Sequence, residues 1–428
     1  MRKIILLFIS LGLIMPGVAH AASVPTPEAL LQLISRSPLL AADAASADLA
    51  RARLDQALSS LRPRLTGKVD GKRFSSMLPG ETRDSDVRSS LELVQPVYDF
   101  GRSYSNINAA RAGQAAEDQD GKIRLNNLML EGIALWYELH ASDLEVQALQ
   151  EENTIGFFIA SRLKEKDVVG DANPIELMDA RAARDKARYV YFKARSANLG
   201  IRLRLQELTG EAFTETTLTP DVPEDPAFEV DTEKMIALVQ QTYPLLQSLK
   251  SKRDAWQARA RASGFFPRVE AYGKVAESTR NMRGRDDWAV GARLIVPLYD
   301  GGQGASKMAQ GLAETRRLEA QIADVQRGLV RKTQMAWMGR KDARLRLTAA
   351  RTAYKAGRHK LLLEQLQRSQ DREASVGGAT ARIGHVETEL VRAIGDYRIA
   401  GLHLAVLLNR PLVESFTPNF LEDLKVAE

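Results

Sequence analysis

The stretch VQPVYDFGR at residues 94–102 returns as IVPLYDGGQ at residues 295–303, where Pro96, Tyr98, Asp99 and Gly101 match Pro297, Tyr299, Asp300 and Gly302 at a constant offset of 201. Smaller matches lie outward from it in the same order in both halves. Pro38-Leu39-Leu40 returns as Pro244-Leu245-Leu246, Pro63-Arg64 as Pro267-Arg268, and Val169-Gly170-Asp171 as Val376-Gly377-Gly378. The halves close near Leu208-Thr209-Gly210 and Leu408-Asn409-Arg410. Any one match can arise by chance; four in one order indicate an internal duplication.

Both halves share one grammar. Each opens on an Ala- and Arg-rich stretch, residues 27–60 and 231–262, made of strong helix formers with Pro only in the first turns. A segment of period two follows a Pro-Arg start. Leu65, Gly67, Val69 and Gly71 alternate with polar residues, as do Val87, Ser89, Leu91 and Leu93. In the second half Val269, Ala271, Gly273 and Val275 alternate likewise, then Trp288, Val290, Ala292, Leu294 and Val296. The pattern predicts two hairpins, with strands over 63–74, 87–97, 267–276 and 288–298. Strands of about 10 residues suit a tilted membrane crossing with a polar lumen side. The same alternation also suits a two-sided antiparallel sheet on a soluble core.

After each corner the chain runs without Pro, over 102–165 and 303–374. As helices these would be rods of roughly 100 Å, longer than globular helices. Leu125, Leu128, Leu135, Leu139, Val146 and Leu149 follow three-four spacing, with Gly132 and Ser142 where neighbouring backbones approach. Return helices are predicted over 172–209 and 379–408. Counted from corner Gly to tip Gly, the second rod is six residues longer than the first, 75 against 69, and its return leg seven shorter, 33 against 40. Such a near-heptad exchange preserves coiled-coil phase. Equal legs would instead put the second tip near Gln370.

Composition narrows the function. The 428 residues contain no Cys, which excludes disulfide frameworks, thiolate metal sites and thiol nucleophiles. The five His, at 20, 140, 359, 385 and 403, have no zinc-ligand spacing. Arg2 and Lys3, an apolar run from Ile4 to Met15, a Pro16-Gly17 break and Ala19-His20-Ala21 read as a secretory signal cleaved after Ala21. That run is too short to span a hydrocarbon core of about 30 Å. Cleavage leaves 58 basic against 54 acidic residues, a net +4 that gives no argument for nucleic-acid binding. No motif joins Ser, His and Asp into a catalytic set. The GGQG at 301–304 lacks the Lys of a phosphate loop, and its duplicate FGRS lacks the glycines. No catalytic role, cofactor or metal is expected. The corners read as structure: Gly101 and Gly302 where strand turns into helix, Asp99 and Asp300 as helix caps.

Four strands cannot close a membrane barrel, and an open edge in lipid leaves backbone groups unsatisfied, so the edges must meet those of sister copies. Three copies give twelve strands. With the duplicated strand-strand-long-helix halves, the two corners and the tip segments VGDANPIELMDA and SVGGATARIG, essentially the whole mature chain resembles the TolC family of outer-membrane efflux proteins. The resemblance implies a mainly α fold with a small transmembrane β part. It implies a homotrimer forming a twelve-strand barrel in outer-membrane lipid, continued by an α-helical tunnel across the periplasm. It also implies docking to a periplasmic adaptor and an inner-membrane ABC or proton-driven transporter, with passive conduction of a secreted protein or small molecule. Lipidated relatives carry an N-terminal Cys, so its absence favours type I secretion or general export.

In the family, acidic residues just inside a tip line the closed entrance. Glu176 and Asp179, six and nine residues beyond Gly170, match that pattern. The second half offers Ile383 and Val386 there, beside His385 and Glu387. Val169, Gly170, Val376 and Gly377 are the expected adaptor contacts. The expected division is a signal peptide over 1–21, repeats over 22–210 and 231–410, a linker over 211–230 and a tail over 411–428. The rival reading is a periplasmic coiled-coil scaffold or adaptor, although adaptors usually have a single hairpin and no duplicated strand pair. Membrane fractionation separates the two: the chain should resist salt washes and need detergent for release, whereas extraction by salt alone would contradict the channel.

Overall fold

The computed structural model describes residues 22–73, 85–171, 173–215, 230–264, 266–279, 287–369 and 376–412. The expected signal peptide, most of the linker and the tail beyond 412 lie outside them. The elements are β1 (Ala22–Ser23), α1 (Pro27–Ser35), a 3-10 turn (Pro38–Leu40), α2 (Ala41–Ser59), β2 (Arg64–Arg73), β3 (Ser85–Tyr98), α3 (Arg102–Val168) and α4 (Pro174–Thr209). They continue as β4 (Phe213–Glu215), α5 (Thr232–Thr242), α6 (Pro244–Ala262), β5 (Arg268–Ser278), β6 (Trp288–Ile295), α7 (Gln303–Ser369) and α8 (Val376–Leu407).

Several boundaries differ from the sequence reading, each for a local reason. The stretches 27–60 and 231–262 are not single helices. Pro38 and Pro244 break them, because proline has no N–H and drives the preceding residue out of helical conformation; Tyr243 sits at φ −58°, ψ 120°. β6 ends at Ile295 rather than 298, just ahead of Pro297. In β3, Pro96 is accommodated beside a register shift opposite β5. Part of the expected linker, Phe213–Glu215, pairs in parallel with Ala22–Ser23.

α7 begins 201 residues after α3, as the repeated corners require, and its described part runs to Ser369; the expected end at 374 lies outside the described residues. α8 is already helical at Val376, ahead of the expected 379. Gly377 thus lies inside a helix, whereas Gly170 lies beyond the end of α3 with φ 75°, so the likeness between Val169-Gly170 and Val376-Gly377 does not carry over to the backbone. Glycine costs a helix only about 1 kcal/mol, so Gly377-Gly378 need not mark an end and lies in the first turn of α8.

The strands form one antiparallel sheet in the order β2-β3-β5-β6. Directly opposed residues share a face. Leu65 lies opposite Leu93, Gly67 opposite Leu91, Leu91 opposite Val275, and Val275 opposite Trp288. All four apolar sets thus fall on one side. That side is the open one: Leu65 is 69%, Val69 74%, Val290 78% and Trp288 71% exposed. β6 alternates between exposed apolar and half-buried residues, the reverse of a sheet seated on a soluble core.

The chain divides into two compact units, each taking segments from both sequence repeats. One holds the described residues of 1–39, 128–225 and 340–401. Its helices lie in the order α4, α3, α8, α7. Asn198 on α4 donates to Ser142 on α3 at 3.1 Å, Arg392 on α8 to Glu138 on α3 at 3.0 Å, and Arg340 on α7 to the Tyr397 hydroxyl on α8 at 2.8 Å. α1 buries Leu30, Leu31 and Ile34, and Ile34 lies over Gly132 of α3. The Trp136 indole N–H donates to the Pro25 carbonyl at 2.8 Å. Flanked on both sides, α3 buries Met129, Ile133, Trp136 and Tyr137 besides Leu139 and Leu149, a wider seam than the expected heptad.

The other unit holds the sheet and the order α2, α3, α6, α7. Asp43 pairs with Arg124, Asp120 accepts from Ser248 and Lys252 at 2.6 Å each, and Ala260 packs on Gly311. No helix among the described residues is long and apolar enough to cross a membrane.

α8 meets α3 most closely at Gly395, where an added Cβ would lie 2.7 Å from the Tyr137 Cβ. Gly395→Val should cost about 1–3 kcal/mol by forcing these helices apart. The expected outcome is a lower melting temperature by far-UV circular dichroism, and an unchanged one would contradict the packing.

Candidate functional site

The two corners reuse one device. Phe100 and Gly101 adopt φ 55° and 89°, and Gly301 and Gly302 adopt 67° and 84°, two successive left-handed residues that redirect a strand into a helix. Asp99 then caps α3 by accepting from the Ser103 N–H at 2.8 Å. Asp300 caps α7 more fully, accepting from Gly302 at 3.0 Å and Gly304 at 2.7 Å. Phe100, whose sequence gave no sign of a left-handed backbone, stacks edge-on against Tyr98 with centroids 4.8 Å apart. Pro96 and Pro297 lie where the strands give way to the corners.

The two sheet faces differ in chemistry. On the apolar face, the only charges among the described strand residues are Arg73 and Glu277, at or next to strand ends. Exposed aromatics sit beyond it at both margins: Trp288 at the hairpin end, Tyr98, Phe100 and Tyr299 at the corners. The opposite face is polar. Arg293 on β6 bridges Glu270 on β5 at 2.8 Å and Glu92 on β3 at 3.0 Å, and Arg268 joins Glu270 at 3.0 Å.

The first tip follows α3. Gly170 is left-handed at φ 75°, and the Asp171 N–H returns to the Lys166 carbonyl at 2.9 Å. Asn173 caps α4 through the Ile175 N–H at 3.0 Å, with Pro174 as the first helical residue. Glu176 and Asp179 share one exposed face of α4 and form no ion pair among the described residues, while Leu177 between them is buried. Val168 and Val169 project at 81% and 77% exposure.

Among the described residues, the equivalent positions of the second half carry no carboxylate. Ile383 and Val386 pack on Gly357 of α7, and His385 pairs with Glu152 of α3 at 2.9 Å. Gly377 faces Ile155 of α3, and Val376 is the first described residue of α8.

Sequence reasoning missed two stripes, one on α4 and one on α7. Ile175, Met178, Tyr189, Phe192, Leu199 and Leu203 on α4 keep three-four spacing, and each is exposed. So do Met335, Met338, Leu345, Leu363 and Leu366 on α7. The signal was present in the spacing, but Ala, Ser, Thr, Asp and His at intervening positions dilute it. Phe157, Phe158 and Ile159 on α3 form a further exposed apolar group.

Residues 29–211 match the family model described as outer membrane efflux protein. The fold is that of outer-membrane channels of known structure. CmeC of Campylobacter jejuni is 17% identical, with a TM-score of 0.69 over 89% of this chain and 85% of that one. VceC of Vibrio cholerae is 14% identical, with 0.65 over 90% and 96%. The open state of MtrE from Neisseria gonorrhoeae is 17% identical, with 0.62 over 90% and 89%. No curated protein sequence matches the chain. The TolC-family resemblance read from the corners and tips stands, and the outer membrane expected from the sequence is the location of the matched family.

Replacing a capping Asp by Ala costs about 0.5–2 kcal/mol. Asp300→Ala, which loses two backbone partners, should destabilise the detergent-solubilised protein more than Asp99→Ala, which loses one. Chemical denaturation checks the order, and equal losses would contradict it.

Proposed function

We propose that three copies of this chain assemble head to tail into an outer-membrane exit duct. The β part seals a twelve-strand barrel, and the helices continue it as a periplasmic tunnel. One observation carries the reading. Among the described residues nothing packs on the apolar face of the sheet, and its edges belong to two different strands, β2 and β6. Lipid suits such a face, and pairing β2 of one copy with β6 of the next satisfies both edges. The exposed stripes on α4 and α7 suit the same closure, because seams of this spacing interlock as knobs into holes.

Transport in this reading involves no chemical step. A transporter in the inner membrane supplies energy, an adaptor couples it to the tips, and the entrance opens by rearrangement of the tip helices. Three copies of Glu176 and Asp179 gather negative potential at a narrow mouth and select cations or basic segments there. Val168, Val169 and Gly170 offer the adaptor an apolar contact at the first tip. The exported cargo is a secreted polypeptide or a small molecule.

Purified protein should run as a trimer by native mass measurement and conduct ions in planar bilayers. A water-soluble monomer that never conducts would overturn the proposal. Glu176→Gln with Asp179→Asn should lower cation preference by about twofold or more while leaving assembly intact.

A further inference from the structure

The register of the sheet assigns a charge to the inner wall of the β part. This inference rests on the channel reading above, since it takes the polar face as the lumen. On that face each carboxylate has a cationic neighbour. Asp70 lies opposite Arg88 and Asp86 opposite Lys72, while Glu92 and Glu270 flank Arg293. Arg268 adds a second cation to Glu270 at 3.0 Å. Arg64, Lys68 and Lys274 are on the same face, and none of them forms an ion pair among the described residues. Seven cations against four carboxylates leave +3 per chain along the described strands, hence +9 in a trimer.

The surplus is uneven. Arg64 and Lys68 both stand on β2 and are exposed, so the excess gathers beside the edge that would join the next copy. Like charges fixed on the low-dielectric wall of a narrow passage raise the local concentration of the opposite ion. Rings of basic side chains are a recurring construction of anion pores.

We propose that the β part is an anion-favouring filter. It stands in series with the acidic mouth at Glu176 and Asp179, which acts in the opposite direction, so the two must be separated experimentally.

The test uses the full-length protein in planar bilayers under a KCl gradient, with Glu176→Gln and Asp179→Asn introduced to silence the mouth. In that background the reversal potential should report chloride preference of about twofold or more. Adding R64Q, K68Q and K274Q should bring the chloride-to-potassium ratio to near unity, and K68Q and K68E alone should lower it stepwise. Cation preference in the silenced background, or a reversal potential that none of the β-part substitutions moves, overturns the inference and leaves the channel reading standing. Assembled trimers that never conduct overturn the channel reading itself. The single substitutions on exposed Lys68 keep the test decisive if the triple variant assembles poorly.

Discussion

The structure depends on the unmatched edges of a four-stranded sheet whose apolar side has none of the described residues packed against it. Backbone N–H and C=O groups exposed to lipid cost several kcal/mol each when unpaired, so neither β2 nor β6 can remain an edge in a membrane. Because the edges differ, closure is heterologous, and a heterologous contact whose rotation closes forms a ring. Strand number then limits the ring. Two copies would give eight strands, and barrels of that size have interiors filled by side chains. Three copies, with twelve strands, form the smallest closed ring with room for a passage. The trimer in the proposal follows from this arithmetic together with the need for an open lumen.

The duplication explains how one short motif serves both sides of each contact. Glu92 and Arg293 occupy equivalent positions of the two repeats, 201 residues apart, yet carry opposite charges and pair across β5. The repeats have diverged where symmetry would have set like charges face to face. They have diverged at the tips as well, where α4 presents Glu176 and Asp179 while α8 turns Ile383 toward α7 and Gly377 toward α3.

Most of the fold was legible because its signals are periodic. Alternation located all four strands and their shared apolar face, and the absence of proline located both rods. The corner motif predicted Asp99 and Asp300 as caps, which depends only on a side chain reaching backbone N–H groups a few residues on. Legibility failed where a local cue had two physical meanings. Gly377-Gly378 looked like a turn but fits a helix start where α8 lies close to Ile155. Pro38 and Pro244 looked like first-turn prolines of long helices but begin new ones. The seam on α3 was too narrow as read, since a helix flanked on both sides buries more than one stripe. The candidate tip was less legible still. Exposed carboxylates at a helix start resemble any solvated first turn, and only their place beside Gly170 and Asn173 distinguishes them.

The helices supply an independent constraint on how copies meet. In the unit containing the first tip, α4 and α7 are outermost, and both expose apolar residues in a heptad rhythm that a monomer would leave wet. Large exposed apolar stripes are costly on a solvated surface and are normally covered. Self-pairing of α4 with α4 would use only one stripe and leave α7 bare. Pairing α4 of one copy with α7 of the next covers both with a single repeated contact, and β2 with β6 is the same solution expressed in strands. Either element alone would allow several assemblies. Each, considered within its own unit, excludes every arrangement in which like edges meet, and the solution common to both is a directional ring.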